Sequence, residues 1–367
     1  MIRRIADERI APRAAEIDRS ASYPHDIREL LAENDVFALP FEERYGGTGT
    51  GTLMLQIAVE EIARADASCA VMLMVQELGT LPLRLFGSEE QRERLLPRCA
   101  AGELLAAFAL SEADAGSDAA AMRTSASLDG GDWVINGAKA WISNAGVADF
   151  YVVFAVTDRA AGRVTAFLVE ADRPGFSIAG HEHKLGIRGS PTGSPVFEDV
   201  RVPAENVIGE VGRGMRVALA TLERSRLGAA AQAVGIAQGA TDHAVAYARE
   251  RVAFGGPIIE LQGIQFKLAD MQTGTSASRE LLYTACGLAD ADPPPADLGM
   301  WTSMAKLFAS DNAMRVTVEA VQVLGGYGYV SDYPLERMMR DAKITQIYEG
   351  TNEIQRLVIA RHLAAEA

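Results

Sequence analysis

Apolar positions along the first hundred residues fall at helical spacing. Ile2, Ile5, Ala6 and Ile10 share one helical face, and Ile27, Leu30 and Leu31 repeat the pattern behind Pro24, which reads as a first-turn proline. The stretch 45–51 (YGGTGTG) is a glycine loop without G-x-G-x-x-G spacing or a following strand–helix unit, so it reads as a connector. The pattern predicts two further helices over 53–64 and 68–78. Ser88 with Gln91 then forms a capping box ahead of Leu95 and Leu96, and Gly102 supplies a C-terminal stop. The first helix begins abruptly at Met1, which leaves room for a further turn or two ahead of it.

After about residue 105 the period shortens to that of strands. Trp133 to Ile135 is followed by Asn136-Gly137, a hairpin signal, and 150–156, 164–169 and 196–202 are β-branched and aromatic runs of strand length. Beyond Gly214 helical periodicity returns over 215–250, 262–288 and 298–324, with a proline-rich linker at 292–297 and a last helix from Asn352. Long helices joined by short turns indicate an antiparallel bundle. The expected fold is α+β multidomain: an N-terminal α-helical domain (1–105), a central antiparallel β-barrel-like domain (106–212) and a C-terminal antiparallel four-helix bundle (213–367).

Composition narrows the field. The chain has 367 residues, 49% hydrophobic and 23% charged, enough to bury a large core in two or three units. A net charge of −14 argues against nucleic-acid binding, although a local group of arginines could still hold phosphates. Cys69, Cys99 and Cys286 lack metal-type spacing and read as reduced thiols. His181 and His183, bracketing Glu182, read as a solvated strand rather than a metal site. No apolar run reaches membrane-spanning length and the N-terminus is not signal-like, so the expectation is a cytoplasmic protein without membrane insertion.

Candidate chemistry concentrates in 346–356 (QIYEGTNEIQR). Glu349 sits between an aromatic residue and Gly350, whose freedom lets the carboxylate be aimed. Asn352 reads as a helix cap with Gln355 completing a capping box, and Ile354, Leu357 and Val358 as the core-facing side of the helix. A carboxylate in apolar surroundings has a raised pKa, as a general base working near neutrality needs. A plainer reading makes Glu349 a loop acid that caps the helix or pairs with Arg340 or Lys343. Three other stretches carry similar choices. Residues 108–118 (FALSEADAGSD) are either a ring- or phosphate-holding segment or a capped turn. In 139–145 (KAWISNA), Trp141 is either core or a shield for a planar cofactor. Residues 184–190 (KLGIRGS) group two cations with two glycines.

These four stretches, in this order on an α–β–α chain, resemble the acyl-CoA dehydrogenase family almost end to end. So do 201–212, 251–271 (RVAFGGPIIELQGIQFKLADM) and 321–347 with VQVLGGYGY and ERMMRDAKI. The resemblance implies FAD as cofactor, with Phe108, Leu110, Ser111, Gly116 and Ser117 lining the flavin and Trp141, Ile142 and Ser143 against its ring. Arg251, Phe254 and Gln262, with Gln322, Val323, Leu324, Gly325 and Gly326, match positions that hold the dinucleotide across a subunit boundary. That implies a homodimer or a homotetramer. Thr351, Asn352 and Glu353 match flavin contacts after the base. Ser117, Ser190, Glu223, Arg226 and Gly350 match substrate-side positions. Glu349 stands at the family's base position. The alternative base position, just before the arginine matching Arg226, holds Ser225, which cannot serve, and Glu223 lies on another helical face.

The implied reaction is α,β-dehydrogenation of an acyl-CoA to a trans-2-enoyl-CoA, electrons passing to an electron-transfer flavoprotein. The enolate oxygen would meet the base residue's backbone N–H and a ribityl hydroxyl of FAD. Alternatives on the same fold are a flavin oxidase or monooxygenase, or a silent acyl-CoA-binding partner subunit. Two features depart from the family pattern: Ala113 replaces a usual proline, and Gln76 and Glu77 are atypical near the acyl pocket. The sequence after Glu349 is similar to short-, medium- and branched-chain members.

Overall fold

The computed structural model describes residues 1–365. Helix α1 (Ile2–Ile5) tightens through a π turn and a 3-10 turn into α2 (Ala14–Ser20), burying Ile5, Ala6, Ile10 and Ile17. Pro24 stands one place earlier than expected, as the cap of α3 (His25–Glu33), where its carbonyl accepts from the N–H groups of Ile27 and Arg28. The glycine connector leads into α4 (Gly51–Ala65), whose first N–H groups, on Thr52 and Leu53, donate to the distant Asp290.

Helix α5 (Ala67–Phe86) runs well past the predicted end at 78, through Gly79 and Pro82. Gly79 is a packing notch rather than a stop: a Cβ there would lie 2.6 Å from the Cβ of Ala106. At 20 residues and hydropathy 1.3, α5 is long and apolar enough to cross a membrane, contrary to the expectation that no run would be. Most of it is buried inside the protein, as a core helix. The Ser88–Gln91 capping box opens α6 (Glu89–Ala100), and Gly102 follows it with φ +71°.

The chain then builds a nine-stranded sheet. Its strands are β1 (Ala106–Ala109), β2 (Ser125–Asp129), β3 (Asp132–Ala138), β4 (Ile142–Ser143), β5 (Phe150–Asp158), β6 (Arg163–Glu170), β7 (Phe176–His181), β8 (Thr192–Pro203) and β9 (Val207–Ile208). The path runs β4-β8-β3-β2-β5-β6-β9, with β1 beside β5 and β7 beside β8. It is antiparallel except where β1 and one residue of β2 meet β5 in parallel. The predicted turn at Asn136-Gly137 is not one: both residues lie inside β3, at a bulge against β8. The hairpin turn is Gly130-Gly131, whose positive φ values of 62° and 99° suit a tight turn.

From Gly214 the chain is helical: α7 (Gly214–Glu250), a small β10–β11 hairpin (Val252–Ala253, Gly256–Pro257), α8 (Gln262–Ala289), α9 (Leu298–Leu324), α10 (Leu335–Ile344) and α11 (Asn352–Ala365). Helix α10, which the periodicity reading passes over, buries Leu335, Met338 and Ala342. The loop 184–190 docks on it: Asp341 accepts from the Ile187 N–H, and Arg340 donates to the Leu185 carbonyl and to Asp18. Helix α11 does not pack through its apolar positions. Ile354 and Val358 are half-buried and Leu357 is 50% exposed, whereas Asn352 and Gln355 are buried.

Candidate active site

Glu349 lies between α10 and α11 with φ +57°, followed by Gly350 at φ +84°. Two successive left-handed residues make a sharp reversal, and for glutamate that conformation costs roughly 1–2 kcal/mol unless the surroundings hold it. They do. Gln355 Nε2 donates to the carbonyls of Glu349 (3.1 Å) and Gly350 (2.8 Å), and Lys306 Nζ on α9 donates to Gly350 O at 2.9 Å. The expected capping box is therefore absent. Thr351 occupies the cap, accepting from the Gln355 N–H through its carbonyl. Asn352 turns instead to Lys306 (2.8 Å), Ser310 and Asp311.

The reversal aims the carboxylate at α7, where Ser225 Oγ donates to Glu349 Oε2 at 2.6 Å. The residue at the rival base position thus serves the base as a donor. Burial raises the Glu349 pKa, and the Ser225 hydrogen bond, Arg226 and Lys306 only partly offset it. Neither plain partner is used: Arg340 pairs with Asp18 and Glu336, and Lys343 donates to Gln346. The Glu349 N–H has no acceptor among the described residues.

Around this point the structure gathers Arg226, Gly350, Thr351 and Asn352. Arg226 is buried and donates to Ser303 Oγ at 2.5 Å. Glu223 lies toward α9, its Oε1 2.6 Å from where a Cβ at Gly299 would stand with His362 alongside, and its charge acts on Arg226. One turn beyond Ser225, Met74 fills the notch at Gly228, and the buried Gln56 amide oxygen beside it has no partner. Gln76 and Glu77 play structural roles. Gln76 accepts from the Ala106 N–H and donates to Leu104 O, tying α5 to β1, and Glu77 pairs with Arg84 at 2.8 Å.

The β-domain brings 108–118 and 139–145 together. The Ala140 N–H donates to Ser111 O (3.0 Å), and the fully buried Lys139 donates to Leu110 O (3.0 Å) and Glu112 (2.8 Å). Phe108 and Leu110 are core, packed under the sheet, while Gly116 and Ser117 are exposed. Trp141 is 60% exposed at φ +64°, a rare conformation for so bulky a residue. Ile142 and Ser143 pair with Gly193 and Thr192, close to Ser190, whose buried Oγ has no partner.

Arg251, Gln322, Val323, Leu324, Gly325 and Gly326 form a separate group, lining a cavity of about 620 Å³ with Tyr247, Tyr327 and Tyr333. Arg251 stacks over the Tyr327 ring at 5.7 Å. Gln262 opens α8, and Phe254 projects from the β10–β11 hairpin, 95% exposed. This group does not meet Glu349. Ser225 lies in the first half of α7 and Arg251 caps its C-terminal end, roughly 39 Å apart at a rise of about 1.5 Å per residue. Sequence reasoning missed Lys306, Asp311, the Lys139–Glu112 pair and the tyrosine cluster. Lys306 and Ser310 share an i, i+4 face of α9, the spacing that could have drawn attention to the first, and Asp311 lies next to Ser310.

Comparison with known proteins agrees along the whole chain. Family models described as the acyl-CoA dehydrogenase N-terminal, middle and C-terminal domains match residues 1–103, 107–200 and 212–364. The chain is 49% identical to the probable acyl-CoA dehydrogenase FadE25 of Mycobacterium tuberculosis, over 99% of this chain and 93% of that one. Butyryl-CoA dehydrogenase from Megasphaera elsdenii superposes with a TM-score of 0.96 at 44% identity, covering 99% of this chain and 96% of that chain. A chain in a structure described as an electron transferring flavoprotein of Acidaminococcus fermentans also reaches 0.96, at 42% identity, covering 99% and 95%. A glutaryl-CoA dehydrogenase from Mycobacterium smegmatis, solved in complex with FADH2, gives 0.93 at 31% identity, covering 99% and 92%. The chain is an enzyme of the acyl-CoA dehydrogenase family.

Proposed function

We propose that this chain is an FAD-dependent acyl-CoA dehydrogenase that converts an acyl-CoA to its trans-2-enoyl-CoA, with Glu349 as the α-proton base. One observation carries the reading: a carboxylate with a raised pKa, held by a strained turn and hydrogen-bonded to Ser225 at 2.6 Å. A base so tuned takes a proton from the carbon next to a thioester carbonyl near neutral pH. The unengaged Glu349 N–H is free to donate to that carbonyl as negative charge develops on it. Arg226 and Ser190 supply polar groups on the substrate side.

The residues present fit the cofactor. Trp141 offers an exposed ring face, and Gly116, Gly325 and Gly326 leave open space where a Cβ would project. Arg251 offers a guanidinium beside the large cavity. Bound FAD would supply the acceptor for the β-hydride and release electrons to an electron-transfer flavoprotein. The separation of the Arg251 group from Glu349 along α7, with Phe254 fully displayed, supports a homodimer or homotetramer in which each cofactor is held by two subunits.

The test is anaerobic stopped-flow mixing of the yellow holoprotein with a panel of acyl-CoA thioesters. Wild-type protein is expected to bleach, with E349Q folded and yellow but slower by about 10²–10⁴. Equal bleaching by both proteins would overturn the assignment of the base.

A further inference from the structure

The candidate base loop rests on a lysine that its sequence setting does not mark out. Lys306 lies mid-helix in α9 and is fully buried. Its ammonium donates to two neutral acceptors, Gly350 O and Asn352 Oδ1, and forms no salt bridge among the described residues. The next turn of α9 continues the clamp. Ser310 shares hydrogen bonds with Asn352, and Asp311 accepts from Gln346 (2.6 Å), Asn352 (2.7 Å) and Arg356 (3.0 Å). The Gly350 carbonyl therefore takes donors from two helices, Lys306 on α9 and Gln355 on α11. Those donors sit at the end of the strained Glu349–Gly350 reversal.

Charged groups face Lys306 from several directions: Glu349 and Glu353 from the loop and α11, Arg226 from α7, and Asp311 from its own helix. Since its bonded acceptors are uncharged, its field is not cancelled locally and acts on Glu349.

Resting on the reading of Glu349 as base, we propose that Lys306 is the positioning residue for it. The ammonium locks the Gly350 carbonyl and Asn352 so that the carboxylate faces the substrate, and its charge favours the ionised, proton-accepting form of Glu349. Burial lowers the Lys306 pKa to about 7, with Glu349 pulling it back up, so the two groups titrate as a linked pair. Below that pH the lysine is charged and holds Glu349 toward ionisation. Above it the charge goes and the loop loses part of its clamp.

The experiment combines two readouts on wild type, K306M, K306R and E349Q holoproteins. Flavin reduction by butyryl-CoA is followed anaerobically across pH, and amide hydrogen exchange is measured over 346–356. In K306M the limiting rate is expected to fall about tenfold or more with KM little changed. Its acid limb should move up by about one pH unit, as loss of one nearby charge requires, and exchange over the loop should rise. K306R should keep the acid limb of the wild type even where its rate is lower. An unmoved acid limb and unchanged exchange in K306M, with E349Q inactive, would overturn the role of Lys306 and leave the base assignment standing. Wild-type reduction by E349Q would overturn the base assignment itself. If K306M does not fold, K306Q carries the test, since an amide there still offers a donor to the Gly350 and Asn352 acceptors but removes the charge, and should raise the acid limb. An unmoved limb in K306Q overturns the proposal.

Discussion

Two buried lysines show how one residue type gives opposite results. In the β-domain, Lys139 meets Glu112 directly at 2.8 Å, and Glu112 also accepts from the N–H groups of Arg123 and Thr124. Burial pushes Glu112 up, but these donors outweigh it, so its pKa is lowered; Lys139 falls to about 8 through burial. In the bundle, Lys306 meets only neutral acceptors, and Glu349 receives a single hydroxyl, so burial wins and Glu349 is raised. The first carboxylate is locked as an anion and joins two segments. The second is left able to take a proton. The difference lies in where the lysine points, not in whether one is near.

Removing each carboxylate breaks the comparison most sharply. E349Q should cost about 10²–10⁴ in flavin reduction while leaving the fold intact. E112Q should do the reverse, costing about 3–5 kcal/mol in denaturant unfolding because Lys139 is left buried without its counter-charge. A fully stable E112Q would show that the pair is not the joint described. S225A removes a hydroxyl donor that favours ionised Glu349, so the acid limb of flavin reduction should move up and the lost rate should recover as pH rises. A loss independent of pH would show that Ser225 acts otherwise.

The smallest effect concerns Asp341, whose pKa burial raises to about 7, with Asp66 adding to it. A carboxyl raised in the native state stabilises while protonated, and that contribution fades as pH climbs from about 4 through about 7. The Tm gain of D341N over wild type should therefore grow across that range and level off above it, reaching a few degrees. A gain that is flat with pH would rule out Asp341 as its source.

The long helices were legible because burial follows their period; α9 ends where the pattern says, at Leu324. The β2–β3 turn was misplaced because Asn136-Gly137 has the composition of a turn but the sheet accepts it as a bulge, while Gly130-Gly131 does the turning. Glu349 could be found from its neighbours, and the family resemblance told which reading to prefer. Its support could not. Lys306 looks like any solvated helix charge until Asn352 closes over it, and Asn352 looked like a cap. Helix α11 docks through Asn352 and Gln355 while Leu357 stays out, the inverse of the rule by which apolar periodicity locates a core.

The length of α7 has a consequence for inheritance. A chain damaged at Arg251 and a chain damaged at Glu349 carry lesions far apart along one rod. Where each catalytic centre draws one of these groups from each of two chains, a mixed assembly concentrates both lesions in one centre and leaves the other whole. Two inactive alleles, expressed together, would then restore growth that neither supports alone.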